Sequence, residues 1–197
     1  MNIKEGIEKR FSVRAFTSEV PEMDKIKEIL RLAGSAPSGG NIQPWKVYVL
    51  NEESKTKLAE KTLHNFDNGV QEEIEYEIYP KPLADEYKKR RYECGADMYN
   101  ALSIEKDDLD SRFKQIRENY NFFGAPLGMI ITIDRSFGNN GWGHVGMFLE
   151  NLWLSAIHHG LGLCLQESWS IYPKTVKEAT NHPDNEIVWC GVAIGYE

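Results

Sequence analysis

The segment from residue 144 to 159 constrains this chain more than any other. Val145, Met147, Phe148, Leu149, Leu152, Trp153, Leu154, Ala156 and Ile157 cover most sides of a helix there, and Gly160 ends it. A helix that is apolar on most sides is buried, either centrally or at an interface between subunits. The rest of the chain has to supply the layers that cover it. A chain of 197 residues can do so as a single domain, with a large core that needs neither disulfides nor a metal.

The covering elements follow from the pattern. Pro21, Glu22 and Asp24 favour a helix start, with Pro21 in the first turn. Ile26, Ile29, Leu30 and Ala33 then recur at helical spacing before Gly34. Val47, Tyr48 and Val49 predict a strand over 46–50, and 52–64 reads as a helix. Residues 67–82 are polar and broken by Pro80 and Pro82, which predicts a mobile excursion. Charged surface helices are expected over 84–102 and 106–119. A buried strand is expected over 127–133, a short helix over 172–180 and a last strand over 187–194. Strands and helices mix without regular alternation, so the predicted class is α+β. No linker or repeat divides the chain, and 67–120 reads as a charged helical excursion or lid on one domain.

Several function classes are disfavoured. Lys and Arg number 23 against 30 Asp and Glu, a formal charge of −7, which lacks the basic field of a nucleic-acid binder. The run Lys88-Lys89-Arg90-Arg91 has Asp85, Glu86 and Glu93 around it and reads as a solvated helix face. No apolar run reaches the ~20 residues of a membrane helix, and the first residues do not read as a signal peptide. Cys94, Cys164 and Cys190 are odd in number and form no C-x-x-C pair, so a reducing cytoplasm is expected. His158 and His159 are adjacent on the helix and point apart, which argues against a metal site with His144.

Three local patterns carry chemistry. In Arg10-Phe11-Ser12-Val13-Arg14, an extended backbone puts positions 10, 12 and 14 on one face. Two guanidiniums and a hydroxyl there suit a phosphate dianion; the other reading pairs the arginines with Glu5, Glu8 or Glu19. In Ala36-Pro37-Ser38-Gly39-Gly40-Asn41-Ile42-Gln43-Pro44-Trp45, Ser38, Asn41 and Gln43 offer donors and acceptors to a polar heterocycle. A helix-to-strand connection that satisfies its own backbone has the same composition. In residues 160–169, Gly160 and Gly162 precede Leu165, Gln166, Glu167 and Ser168. That segment can bring backbone amides to a ligand, or simply cap a helix before a strand.

Taken together, these patterns resemble the FMN-dependent nitroreductases, closest to the branch with nitrobenzoate reductases. The resemblance runs through Arg-x-Ser-x-Arg at 10–14, Ala36-Pro37-Ser38 and Asn41-x-Gln43-Pro44-Trp45. It continues through Tyr99-Asn100-Ala101-Leu102-Ser103-Ile104, where many relatives have glycine at the position of Ser103. Asn119 to Pro126, the stretch from Gly146 to Gly162, and Cys190-Gly191-Val192-Ala193-Ile194-Gly195-Tyr196 complete it. It implies an intertwined homodimer with FMN at the interface. Arg10 and Ser12 are then expected at the FMN phosphate and ribityl end, and Arg14 near the flavin pyrimidine edge. Pro37, Ser38 and Asn41 are expected to reach the flavin from the partner, with Gln43 positioning the loop or the flavin. Leu165, Gln166, Glu167 and Ser168 are expected over the other ring face. Phe122, Phe123 and Trp169 are candidates to stack on the substrate, with core packing as the other reading.

The implied activity is ping-pong transfer of hydride from NADPH or NADH to FMN and on to a nitroaromatic or quinone, with no catalytic side chain required. A dehalogenase-like flavin reaction, or a flavin-binding dimer with little turnover, would share these motifs. The resemblance implies a C-terminal tail beyond the last strand; the sequence stops at Glu197, so either the tail is lost or the chain is truncated, and weaker FMN binding and a less secure dimer are expected without it.

Overall fold

A computed structural model describes residues 2–197. The Ile-rich strand β2 (Leu127–Asp134) sits inside the sheet and is buried on both faces for all but its last residue. β1 (Trp45–Leu50) flanks it on one side and β4 (Glu186–Gly195) on the other. β3 (Gly162–Gln166) lies outside β4, giving the order β1-β2-β4-β3 with every pair antiparallel. Burial on both faces is the habit of parallel sheets. Here an antiparallel sheet achieves it because helices cover both sides, and the class is α+β as expected.

One face is covered by α2 (Met23–Ala33) and α6 (Asn139–His158). Met129, Ile131, Val192 and Ile194 point there, against Ile26, Ile29, Val145, Phe148 and Leu152. The ring of Trp45 stacks on Phe148 at 5.0 Å. The other face is covered by α3 (Glu52–Asp67) and α7 (Pro173–Thr180), with Leu58 and Val176 over Ile130, Val188 and Ala193. The all-round apolar helix is thus central on one side. Its outer side is less covered in the single chain: Met147 is exposed, and Leu154 and Ile157 are half-buried.

Boundaries moved where the local signal was not hydrophobic. α1 (Ile3–Lys9) was not expected; it is set by a capping box in which the Asn2 side chain and Glu5 satisfy each other's backbone amides. α2 starts at Met23, two residues after Pro21, with Glu22 at its N-cap. α6 starts at Asn139, five residues early. Its first turn contains the buried Gly141, where a Cβ would collide with Ile133 and Phe137.

Residues 68–84 contain no helix, and α4 (Asp85–Ala101) and α5 (Leu109–Arg117) follow with no buried residue. The excursion expected to be mobile is anchored at several points. Glu72 accepts from the backbone N–H groups of Lys174 (2.7 Å) and Thr175 (3.2 Å), amides that the first turn of α7 leaves unpaired. Glu75 meets Arg135 at 2.6 Å and accepts from Val188 N–H at 3.1 Å.

Candidate functional site

β3 is a sheet edge, and its exposed backbone is covered by the segment at 12–13. Ser12 bridges Leu163 in parallel, and Val13 N–H donates to the Leu163 carbonyl at 3.1 Å. Gly162 makes the approach possible, because a Cβ there would lie 2.7 Å from Val13 Cγ2. Val13 is buried, so Ser12 faces the opposite way. The result is that Ser12 lies beside the end of β3, where Leu165 and Gln166 close the strand and Glu167 and Ser168 begin a 3-10 turn.

These residues share a cavity of about 710 Å³, also lined by Trp153 of α6, Trp189 of β4 and Asn119. Two buried polar atoms in its wall have no protein partner: Trp153 Nε1 and Ser168 Oγ. Above Trp153 lies the Arg10 guanidinium, 4.6 Å from the ring centroid. Arg14 Nη1 donates to the Ser12 carbonyl at 3.3 Å, and its guanidinium lies 5.9 Å from the Phe123 ring. Two of the three carboxylates that could have neutralised this motif are engaged elsewhere: Glu5 caps α1 and Glu8 meets Lys4 at 3.7 Å. Partial desolvation at the cavity raises the Glu167 carboxyl above the usual carboxylate range. Burial pushes the Cys190 thiol in the same wall well up, which leaves it un-ionised and a poor nucleophile.

The expected residues do not all arrive with a free side chain. Gln166 is buried and committed to the framework. Its Nε2 donates to the Asn119 carbonyl at 2.6 Å, and its Oε1 accepts from Trp169 Nε1 at 3.3 Å. Any ligand contact from Gln166 is therefore through its backbone. Phe122 and Trp169 are fully buried and stack on each other at 4.5 Å, over a groove in the sheet made by Gly128 and Gly191. A Cβ on Gly128 would be 2.8 Å from the Phe122 ring, and one on Gly191 would run into Trp169. Neither ring presents a face to a substrate, so the packing reading replaces the substrate reading for this pair. Phe123 is also buried, under Arg14. Phe122, Phe123 and Gly124 are successive left-handed residues (φ 51°, 53° and 76°), an arrangement costly for aromatic residues. Lys55 braces its exit by donating to the Ala125 and Pro126 carbonyls at 2.5 and 3.1 Å.

Pro37, Ser38, Asn41 and Gln43 lie outside this cavity in the single chain. Ser38 Oγ accepts from Gln43 N–H at 3.0 Å and Gln43 Nε2 donates to the Gly34 carbonyl at 3.2 Å, so Gln43 shapes the loop. Ser38 and Asn41 are on its accessible side.

Sequence reasoning missed Trp153, Asn119 and Trp189. Trp153 was counted only as one apolar helix residue among nine. Trp189 depends on a β-bulge: Ile131 pairs with Cys190 and Thr132 with Val188, so Trp189 is the extra residue. Bulges of this kind re-aim a side chain. The backbone groups it frees are taken by the 68–84 segment, with Tyr76 Oη donating to the Trp189 carbonyl at 2.6 Å and Glu75 accepting from Val188. Tyr76 also stacks on Trp189 at 5.2 Å. The sequence carried no alternation that could mark the bulge, because β4 is buried on both faces at every position but Trp189.

A family model described as "Nitroreductase family" matches residues 7–196. The chain is 33% identical over 191 residues to a protein named 4-nitrobenzoate reductase from Nocardioides sp. (strain LMS-CY), covering 95% of this chain and 77% of that one. Among solved structures, the FMN and NADPH-dependent nitroreductase NfnB from Sphigopyxis sp. strain HMH superposes with a TM-score of 0.95 at 34% identity, over 100% of this chain and 88% of that one. The FMN-dependent nitroreductase NfnB from Mycobacterium smegmatis, solved in complex with NADPH, superposes with a TM-score of 0.92 at 26% identity, over 98% and 86%.

Proposed function

Because the chain belongs to the nitroreductase family, we propose that it is an FMN-dependent NAD(P)H oxidoreductase that reduces nitroaromatics or quinones, with its flavin in the cavity at the end of β3. The observation that carries the placement is the pair of buried, unpartnered polar atoms, Trp153 Nε1 and Ser168 Oγ, in the same wall as Ser12. Leaving a buried polar group unpaired costs about 1–3 kcal/mol, and a polar heterocycle with a phosphate tail removes that cost. The donor set fits FMN: unpaired guanidiniums at Arg10 and Arg14 for an anion, a hydroxyl at Ser12, and the backbone of Leu165 to Ser168 along a flat wall.

When bound, FMN would supply the redox chemistry that links NAD(P)H to the acceptor. The protein's residues bind, orient and tune. Arg10 and Ser12 hold the phosphate end by charge-assisted hydrogen bonds. Arg14 would place positive charge near the ring system of a bound flavin. Trp153 and Trp189 wall the cavity against water. Gln166, tied to Asn119 and Trp169, fixes the backbone on which Glu167 and Ser168 meet the ring.

The enzyme is read as a homodimer that completes each site across its interface. Supporting this, Ile3 and Ile7 on α1 and Phe11 after it are exposed at 80%, 57% and 54%, beside the open side of α6. Ser38 and Asn41, outside the chain's own cavity, are then available to the partner's flavin. The direct test of the placement is FMN titration. Arg10→Ala and Ser12→Ala should each weaken FMN binding about tenfold or more with the fold retained. Wild-type affinity in both variants would place the flavin elsewhere.

A further inference from the structure

The basic run at 88–91 is a solvated face for three of its four residues. Lys88 pairs with Asp85 at 2.9 Å, Lys89 with Glu93 at 3.8 Å and Arg90 with Glu86 at 3.3 Å, each about one helical turn away. Arg91 pairs with none of them; its guanidinium lies 3.8 Å from the centroid of the Tyr79 ring. Among the described residues, half of the eight arginines form ion pairs, namely Arg31, Arg90, Arg117 and Arg135. The other four are Arg10 and Arg14 of the flavin motif, and Arg91 and Arg112. In a chain of net charge −7, partners are not scarce. Unpaired arginines that gather at one place point to an anion from outside.

Arg91 and Arg112 do gather. Both line a groove of about 380 Å³ between α4 and the start of α5, together with Lys106. Each cation there lies over a tyrosine: Arg91 over Tyr79, Arg112 over Tyr99 at 4.3 Å, and Lys106 over Tyr92 at 5.9 Å. Stacking holds a guanidinium plane while its N–H edge stays free for an oxyanion. The groove's carboxylate is Glu105, and Arg112 Nε turns to that residue's backbone carbonyl at 3.3 Å. Arg91 also lines the flavin cavity, so it is the residue at which groove and cavity meet.

Three cations against one carboxylate leave the groove with positive charge to spare. They match a ligand with phosphates spaced along its length, an aromatic base that stacks on tyrosine, and a reactive end that reaches the flavin cavity. We propose that the groove between α4 and α5 binds the phosphates of the nicotinamide dinucleotide donor. Arg91 takes the pyrophosphate, next to the cavity, and Arg112 with Lys106 takes the 2′-phosphate of NADPH. The assignment rests on the reading that NAD(P)H reduces a flavin bound at the end of β3.

The test is titration of NADP⁺ and NAD⁺ into the FMN-loaded, oxidised protein, read by calorimetry at two salt concentrations. NADP⁺ should bind more tightly and lose more affinity with salt. Arg91→Gln should weaken both dinucleotides about tenfold, and Arg112→Gln should weaken NADP⁺ about tenfold and narrow the gap to NAD⁺. Arg90→Gln, which removes a paired cation from the same helix, should bind both as the wild type does. Wild-type affinities in Arg91→Gln and Arg112→Gln would overturn the proposal. So would variants whose one defect is a raised KM for 4-nitrobenzoate, since the groove would then read an acceptor's carboxylate. Either result, with NADPH still bleaching the wild-type flavin, leaves the oxidoreductase reading standing. A wild-type flavin that NADPH does not bleach refutes that reading itself.

Discussion

Ser103 shows how far a single residue type can be read. It follows the C-cap Leu102 of α4 in the left-handed region, φ 56°, with its N–H on the Asn100 carbonyl (3.0 Å) and the next N–H, Ile104, on the Tyr99 carbonyl (2.9 Å). That is a Schellman closure, in which glycine is the residue without a Cβ penalty. The family resemblance already marked this position as one where relatives carry glycine, and the backbone supplies the reason. Ser103→Gly should stabilise the protein by about 1 kcal/mol, a rise in Tm of roughly 2–4 °C, checked by thermal unfolding. Other residues were legible by type but not by direction. Trp169 and Trp153 are both tryptophans in apolar surroundings. The glycine at 191 lets the first sink into the sheet, while the second keeps an unpaired N–H in the cavity wall. Nothing in the local spacing separates those outcomes, because each is decided by a strand or helix distant in sequence.

At the scale of elements, long periodic segments were readable and irregular ones were not. α2, α3, α6 and the strands β1, β2 and β4 announce themselves by their apolar residues, whereas β3, between Gly160 and the polar residues after Leu165, does not. The 68–84 segment does not, because carboxylates that look solvated in sequence are partners for distant backbone amides. Glu75 is the central case, joining Arg135 and the bulge at Val188. Glu75→Ala should leave the Val188 N–H unpaired beside Trp189 and cost about 1–3 kcal/mol, with faster hydrogen exchange at Val188. Glu75→Gln retains an acceptor and should recover part of the loss. Full stability in Glu75→Ala would mean that the bulge does not depend on the segment. The Arg-x-Ser-x-Arg motif could be put forward as a candidate anion site from sequence for the opposite reason. Its chemistry is local, and the structure adds the docking of Ser12 and Val13 on the edge of β3.

At the scale of the molecule, the homodimer proposed above would divide each site between two chains. The cavity holds Arg10's neighbour Trp153, Ser12 and the end of β3, while Ser38 and Asn41 are not among its lining residues. A shared site makes a specific prediction. Arg10→Ala/Ser12→Ala and Ser38→Ala/Asn41→Ala variants, each impaired alone, should regain one working site in two when mixed and allowed to exchange subunits. No recovery would mean that each chain builds its own site. The reading of the whole as a flavin oxidoreductase is tested most directly by one spectrum. The purified protein, loaded with FMN without oxygen, should lose its flavin absorption on addition of NADPH and regain it with a nitroaromatic. A flavin that stays bound and oxidised in the presence of NADPH would contradict the reading and leave a flavin-binding protein without the turnover proposed here.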